Sequence, residues 1–77
     1  MPATYRIQAD WDPEACVWYA SSDDVPGLAT EAETIELLTQ KLRVMIPELL
    51  AANSVPETGS IAFELISHRQ ESIRLAS

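Results

Sequence analysis

The sequence predicts an α+β domain: a three-stranded antiparallel sheet, in the chain order β-β-β-α-β, with one long amphipathic helix packed on one face. Apolar and polar residues alternate from residue 5 to residue 11, which is the period of a half-buried strand. Apolar residues then recur at spacings of three and four between residues 35 and 49, which is the period of a helix with one buried face. We expect the chain to form one domain, residues 1–77.

The first two strands are predicted to form a hairpin. Residues 5–11 supply the first strand, and Asp12-Pro13-Glu14-Ala15 is typical of a turn, because proline presets φ and aspartate bonds nearby backbone. Residues 16–21 are rich in aromatic and β-branched types, which favour the second strand. Val17 and Trp18 point to opposite faces of that strand, so the helix can cover only one of them. The other must be covered by a different part of the protein or by a partner.

A turn separates this hairpin from a third strand and the helix. Pro26-Gly27 fits the middle of a type II turn, where glycine accepts a positive φ. Residues 28–31 then form a short strand, and Glu33 or Thr34 begins the helix, with the threonine hydroxyl as its cap. The chain therefore passes from strand to helix with almost no loop.

The helix is expected to run as far as Asn53. Pro47 cannot donate to the carbonyl of Arg43, but the apolar spacing continues through Leu50, so a kink is predicted rather than a stop. Asn53 is predicted to be a left-handed C-cap. The seam that faces the sheet is predicted to contain Ile35, Leu38, Leu42, Met45 and Leu49.

A fourth strand is predicted after a loop. Ile61, Phe63 and Leu65 alternate with small or polar residues, and this strand can extend to His68. Residues 69–77 fit two interpretations. Their apolar and polar residues alternate as in an edge strand that pairs with another copy, but a disordered tail fits the same pattern.

Composition narrows the functional classes. The net charge is −7, and the first 36 residues hold eight acidic residues against one arginine, so no direct nucleic-acid binding is expected. Cys16 and His68 are the single cysteine and histidine, so no disulfide within the chain, no zinc cluster and no cofactor are expected.

A domain this small then gains stability from a second subunit, and we expect a homodimer. No signal-peptide or membrane-spanning pattern is found, so a cytoplasmic protein without a membrane partner is expected.

The segment around the third strand carries a family resemblance. Val25-Pro26-Gly27-Leu28, Thr30-Glu31, Thr34 and the leucine-rich helix resemble the HicB-like antitoxin family. The run at residues 42–50 resembles a run that recurs in its short stand-alone members, which are classed as a domain of unknown function. The likeness covers residues 5–66 and implies a HicB-like, partly RNase H-like arrangement.

This resemblance implies a non-enzymatic binding module. HicB-like antitoxins neutralise HicA toxins, which are small basic ribonucleases, and many also carry a C-terminal DNA-binding segment. The nine residues after His68 are too few for such a segment, so no separate DNA-binding module is expected. An acidic surface suits a basic partner, whereas an orphan homodimer without a toxin is the alternative. The candidate partner-binding residues are Asp10, Trp18, Asp23 and Asp24.

Catalytic hypotheses compete with binding. A degenerate, metal-dependent RNase H-like hydrolase would need several carboxylates converging on one cation at one end of the hairpin. Turn chemistry explains Asp12 without a metal. Cys16 can be a nucleophile only if His68 serves as its base, and a half-buried thiol with a strand-end histidine is the simpler interpretation. The carboxylates of the hydrolase hypothesis are Asp10, Asp12, Asp23 and Asp24.

Overall fold

The computed structural model describes residues 4–55 and 59–76, which form a sheet with one helix on it. The strands lie in the order β3-β2-β1-β4, where β1 and β2 are antiparallel, β2 and β3 are antiparallel, and β4 is parallel to β1. The elements are β1 (Tyr5–Asp12), β2 (Val17–Ser21), β3 (Ala29–Ala32), α1 (Ile35–Ala52) and β4 (Phe63–His68).

The α+β class and the β-β-β-α-β order are confirmed, but the three-stranded antiparallel sheet is wrong. The sheet has four strands and is mixed. A helix connects β3 to β4. A helical crossover of this kind returns the chain to the sheet in the same direction as the strand before the helix. Because β3 already runs in the direction of β1, β4 enters beside β1 as a parallel strand.

The hairpin turn is closed by Asp12, as predicted. Its Oδ1 atom accepts hydrogen bonds from the backbone N–H groups of Glu14 at 3.0 Å and Ala15 at 3.2 Å. Cys16 has a φ of 57° and belongs to the turn. β2 therefore begins at Val17, one residue later than the sequence predicts.

The predicted type II turn and helix cap are both present. The N–H of Leu28 donates to the carbonyl of Val25 at 3.2 Å, and Gly27 has a φ of 81°. β3 begins at Ala29, one residue later than predicted, and Leu28 before it is buried in the core. Thr34 Oγ1 accepts a hydrogen bond from the N–H of Leu37 at 3.1 Å and caps α1.

The helix continues through Pro47 and Asn53 is its C-cap, as predicted, but the left-handed conformation predicted for Asn53 is wrong. Asn53 has a φ of −98°, whereas Ser54, with a φ of 58°, takes the left-handed position. The side-chain Nδ2 of Asn53 donates to the carbonyl of Leu49 at 2.8 Å and to that of Pro26 at 3.4 Å. These bonds hold Asn53 in the last turn of the helix and join that turn to the segment before β3.

The core lies between α1 and one face of the sheet. Ile46 and Leu50 are fully buried, whereas Met45 and Leu49, which were predicted for the seam, are partly buried. Within the described part of the chain, no helix has the length and apolar character needed to cross a membrane. The other buried apolar residues are Tyr5, Ile7, Ala9, Ala20, Val25, Leu28, Ala32, Leu38 and Leu42.

Candidate functional site

The sheet face opposite α1, here called the open face, points to solvent. Residues on a strand alternate between the two faces, so β1 places Asp10 on the open face and buries Ala9 under the helix. Asp10 lies opposite His68 of β4 and Tyr19 of β2, and Tyr19 lies opposite Glu31 of β3. One row of side chains therefore crosses all four strands in the order His68, Asp10, Tyr19 and Glu31.

Tyr19 is the aromatic residue at the centre of this open-face row. It is 46% exposed, and both Asp10 and Glu31 beside it are exposed. Directly paired residues have Cβ atoms about 5 Å apart, so two carboxylates flank the ring. A lysine or arginine side chain can stack on such a ring and pair with a carboxylate at the same time. The row can therefore receive cationic side chains.

Sequence reasoning selected Trp18 as a partner-binding residue and did not select its neighbour Tyr19. The available signal was strand alternation, because Trp18 and Tyr19 must face opposite sides of β2. Trp18 is half-buried and packs against the core under α1. It therefore does not lie beside Asp10, with which it was grouped.

Asp24 has a structural role at the start of β1. Its Oδ2 atom accepts a hydrogen bond from the N–H of Arg6 at 2.8 Å, and Ser22 Oγ donates to the carbonyl of the same arginine. Asp24 is half-buried, whereas Asp23 is exposed. These bonds fasten the loop after β2 to β1. A shallow depression of about 290 Å³ there is lined by Arg6, Gln8, Asp23, Asp24 and Ile66.

The structure does not bring the four aspartates together. Asp24 bonds to Arg6, whereas Asp12 lies six residues further along β1. At about 3.3 Å per strand residue, the two ends are about 20 Å apart. Among residues 4–55 and 59–76 there is no group of three or more His, Cys, Asp or Glu side chains that could hold a metal ion. The convergence of Asp10, Asp12, Asp23 and Asp24 that the hydrolase hypothesis requires is therefore not found in the described part of the chain.

Cys16 and His68 are also separated. His68 pairs with Asp10 on β4, whereas Cys16 lies in the turn before β2, and β1 runs between them. Two strand spacings alone amount to about 10 Å. The thiol of Cys16 is exposed and contacts the carbonyl of Pro13 at 3.6 Å. The geometry gives Cys16 no base at His68.

An aromatic and cationic cluster, which sequence reasoning also missed, lies where the chain leaves β4. The rings of Trp11 and Trp18 have centroids 5.3 Å apart at an angle of 59°. The guanidinium carbon of Arg69 lies 4.0 Å from the centroid of Trp11 and 5.9 Å from that of Trp18. Arg69 also pairs with Glu71 at 3.0 Å. This cluster fixes the direction of the chain after the strand.

The fold and site define a class of protein: an α+β domain with one helix on a mixed four-stranded sheet, whose candidate site is an exposed sheet face. The chain belongs to the family described as a domain of unknown function, DUF1902, whose model matches residues 4–77. The prediction of a domain of unknown function is confirmed at this level.

A solved structure shows the same fold. The chain is similar to the crystal structure of hypothetical protein TTHA1013 from an extremely thermophilic bacterium, Thermus thermophilus. The two are 51% identical, with a TM-score of 0.79, over 91% of this chain and 99% of that chain. No curated protein matches the chain.

Proposed function

We propose that this protein is a non-enzymatic, HicB-like binding module whose open face receives a small basic protein, such as a HicA-like ribonuclease, and neutralises it by contact. The observation that supports this most is the open-face row, in which an exposed tyrosine lies between two exposed carboxylates. Such a row is matched to lysine and arginine side chains. The function belongs in the cytoplasm, where a ribonuclease meets its RNA.

The distribution of charge supports a basic partner. The first 36 residues hold eight acidic residues and one arginine, and they form β1, β2, β3 and the start of α1. Asp10, Asp12, Asp23 and Glu31 are all exposed. An uneven negative field of this kind raises the rate at which a cationic protein meets the surface. The rest of the chain is balanced in charge, so the attraction is directed to one part of the molecule.

Tyr19 is the expected anchor of the contact. Tyrosine is enriched among the few residues that dominate protein interfaces, because it brings a large apolar ring and a hydroxyl group with little conformational entropy. Asp10 and Glu31 would form the charged surroundings of the ring. Asp24 is already bonded to the backbone of Arg6, so it contributes less to partner binding than Asp10.

Co-expression with the product of the neighbouring reading frame, which the proposal predicts to be a small basic protein, tests the proposal. We expect the two to co-purify, and Tyr19→Ala to weaken the complex by about 10-fold or more, as for an interface hot spot. Asp10→Asn should slow association and reduce its dependence on salt. Glu48→Gln, an exposed change on α1, is the matched control and should leave binding unchanged. Equal binding by the Tyr19→Ala variant, or the lack of a basic neighbour that binds, would contradict the proposal.

The hydrolase alternative is separated from binding by a metal titration. If the protein is a binding module without a metal, millimolar magnesium or manganese leaves its melting temperature unchanged. A rise with manganese that disappears in the Asp10→Asn variant would instead support a metal-dependent activity.

A further inference from the structure

The segment after β4, residues 69–76, is here called the arm. All of its described residues are exposed, and Ile73 and Leu75 are 86% and 87% exposed. The molecule measures 58 × 20 × 18 Å, so it is far longer than it is wide. Residues two apart on an extended segment share one side. The arm therefore presents an apolar side made of two aliphatic side chains.

A groove on the outer flank of β3, beside α1, has chemistry that matches the arm. Leu37 and Val44 on the helix are 47% and 60% exposed, which is unusual for large apolar residues on a helix of this core. Acidic side chains of β3 and the following turn lie at its rim, next to Lys41. The apolar lining also includes Val17, Ala32 and Met45.

The arm does not occupy the groove of its own chain. It starts at Arg69, which is stacked on Trp11 of β1, whereas the groove lies on the other side of the sheet, beside β3. Ile73 and Leu75 are 86% and 87% exposed, so neither of them is covered by Leu37 or Val44 of the same chain. A second copy can supply the arm that covers this groove.

We propose that the arm of one copy docks in the β3–α1 groove of a second copy, and that the exchange is reciprocal and closes a two-fold dimer. Ile73 and Leu75 then cover Leu37 and Val44 of the second copy. Arg74 points to the other side of the arm and therefore lies next to Glu31 of β3. The two residues then form a cross-strand pair of opposite charge. A closed, isologous exchange of this kind uses every arm and every groove.

Side-chain burial supplies most of this contact. Lys41 Nζ already donates to the carbonyl of Glu31 at 2.6 Å, so one backbone acceptor on this edge of β3 is occupied. The arm therefore does not need a complete ladder of backbone hydrogen bonds. It needs an apolar groove with an acidic rim, and the helix and β3 provide both.

Size-exclusion chromatography with light scattering on the full chain tests the exchange. Wild type should be a dimer at micromolar concentration, and Ile73→Asp with Leu75→Asp should raise the dissociation constant by roughly 100-fold or more. Gln70→Asn with Ser72→Asn makes two uncharged polar changes on the other side of the arm and should leave the dimer intact. A monomeric wild type, or a dimer that persists in the Ile73→Asp, Leu75→Asp variant, overturns the proposal.

A cross-link tests where the arm docks. Chains carrying Leu75→Cys and chains carrying Val44→Cys, both with Cys16→Ser, are mixed and oxidised. We expect a mixed disulfide between the two kinds of chain, and much less of it when Ser72→Cys replaces Leu75→Cys. Equal cross-linking from position 72 would place the arm elsewhere and overturn the assigned contact. Circular dichroism of each variant checks that the fold is kept.

Discussion

The stacking of Arg69 on Trp11 gives a prediction whose magnitude follows from the structure. The guanidinium carbon lies 4.0 Å from the ring centroid, and the arginine side chain is 40% exposed. A cation–π contact at such a half-exposed position contributes about 1 kcal/mol. We therefore expect a double-mutant cycle of Arg69→Gln and Trp11→Leu to give a coupling energy of about 1 kcal/mol.

The expected change in melting temperature is measurable. With an unfolding entropy of about 2.1 cal/mol/K per residue, a chain of 77 residues loses about 6 °C for each kcal/mol. Differential scanning calorimetry on the four proteins of the cycle, all at one concentration, measures this shift. One concentration is needed because self-association makes the melting temperature depend on concentration.

Glu71→Gln separates the stacking contact from the ion pair. Glu71 and Arg69 are paired at 3.0 Å, but their side chains are 65% and 40% exposed, and exposed pairs contribute at most a few tenths of a kcal/mol. We expect this variant to melt within about 2 °C of wild type. A coupling energy near zero in the cycle would refute the stacking contribution. A larger drop in melting temperature from Glu71→Gln than from Arg69→Gln would refute it as well.

Three further predictions concern stability and are checked by urea unfolding. Gly27→Ala should lower the free energy of unfolding by about 1 kcal/mol because Gly27 has a φ of 81°, whereas the added Cβ would lie an ordinary 3.7 Å from Leu49. Gly27→Asn should lower it by less, because asparagine tolerates a positive φ better than alanine does. Equal losses from the two variants would contradict an origin in the backbone conformation. Leu42→Ala should cost about 2–5 kcal/mol because Leu42 is fully buried, whereas the exposed Glu48→Ala should change stability by less than about 0.5 kcal/mol. Thr34→Ala should lower the free energy of unfolding by about 1 kcal/mol through loss of the helix cap. Thr34→Ser should retain most of this stabilisation, because serine keeps the hydroxyl group.

The parts of the fold that depend on local chemistry could be predicted from the sequence. The turn at Gly27, the cap at Thr34 and the closing of the hairpin by Asp12 each involve residues within four positions of one another. Such interactions are visible as residue types at fixed spacings. The C-cap position of Asn53 could also be predicted, but not its backbone conformation. Its side chain bonds to Leu49 and Pro26, and the second bond joins distant segments.

The parts that depend on distant segments were missed or wrong. β4 pairs Phe63 with Tyr5 across most of the chain, and an alternating strand pattern does not reveal its neighbour. The crossover rule for a helix between strands could have indicated the parallel direction. The stack of Arg69 on Trp11 depends on the same pairing, so it could not be found before β4 was placed.

The candidate site was found only in part. The excess of acidic residues lies in the half of the chain that supplies Asp10, Tyr19 and Glu31 of the open-face row, and Asp10 was selected as a candidate partner residue. Trp18 was selected for its size. Strand alternation places Trp18 and Tyr19 on opposite sides of β2, but the position of α1 must be known before the buried side can be identified. Once α1 is known to cover Trp18, Tyr19 follows as the exposed aromatic residue of the strand.

The role of the open face is tested most directly by nuclear magnetic resonance. A ¹⁵N-labelled sample is titrated with the product of the neighbouring reading frame, which the proposal predicts to be a small basic protein, and the shifts of all backbone amides are followed. We expect the largest changes at Asp10, Tyr19 and Glu31, at the centre of the open-face row. Changes confined to α1, or no changes at any ratio of the two proteins, would contradict the binding function proposed for this face.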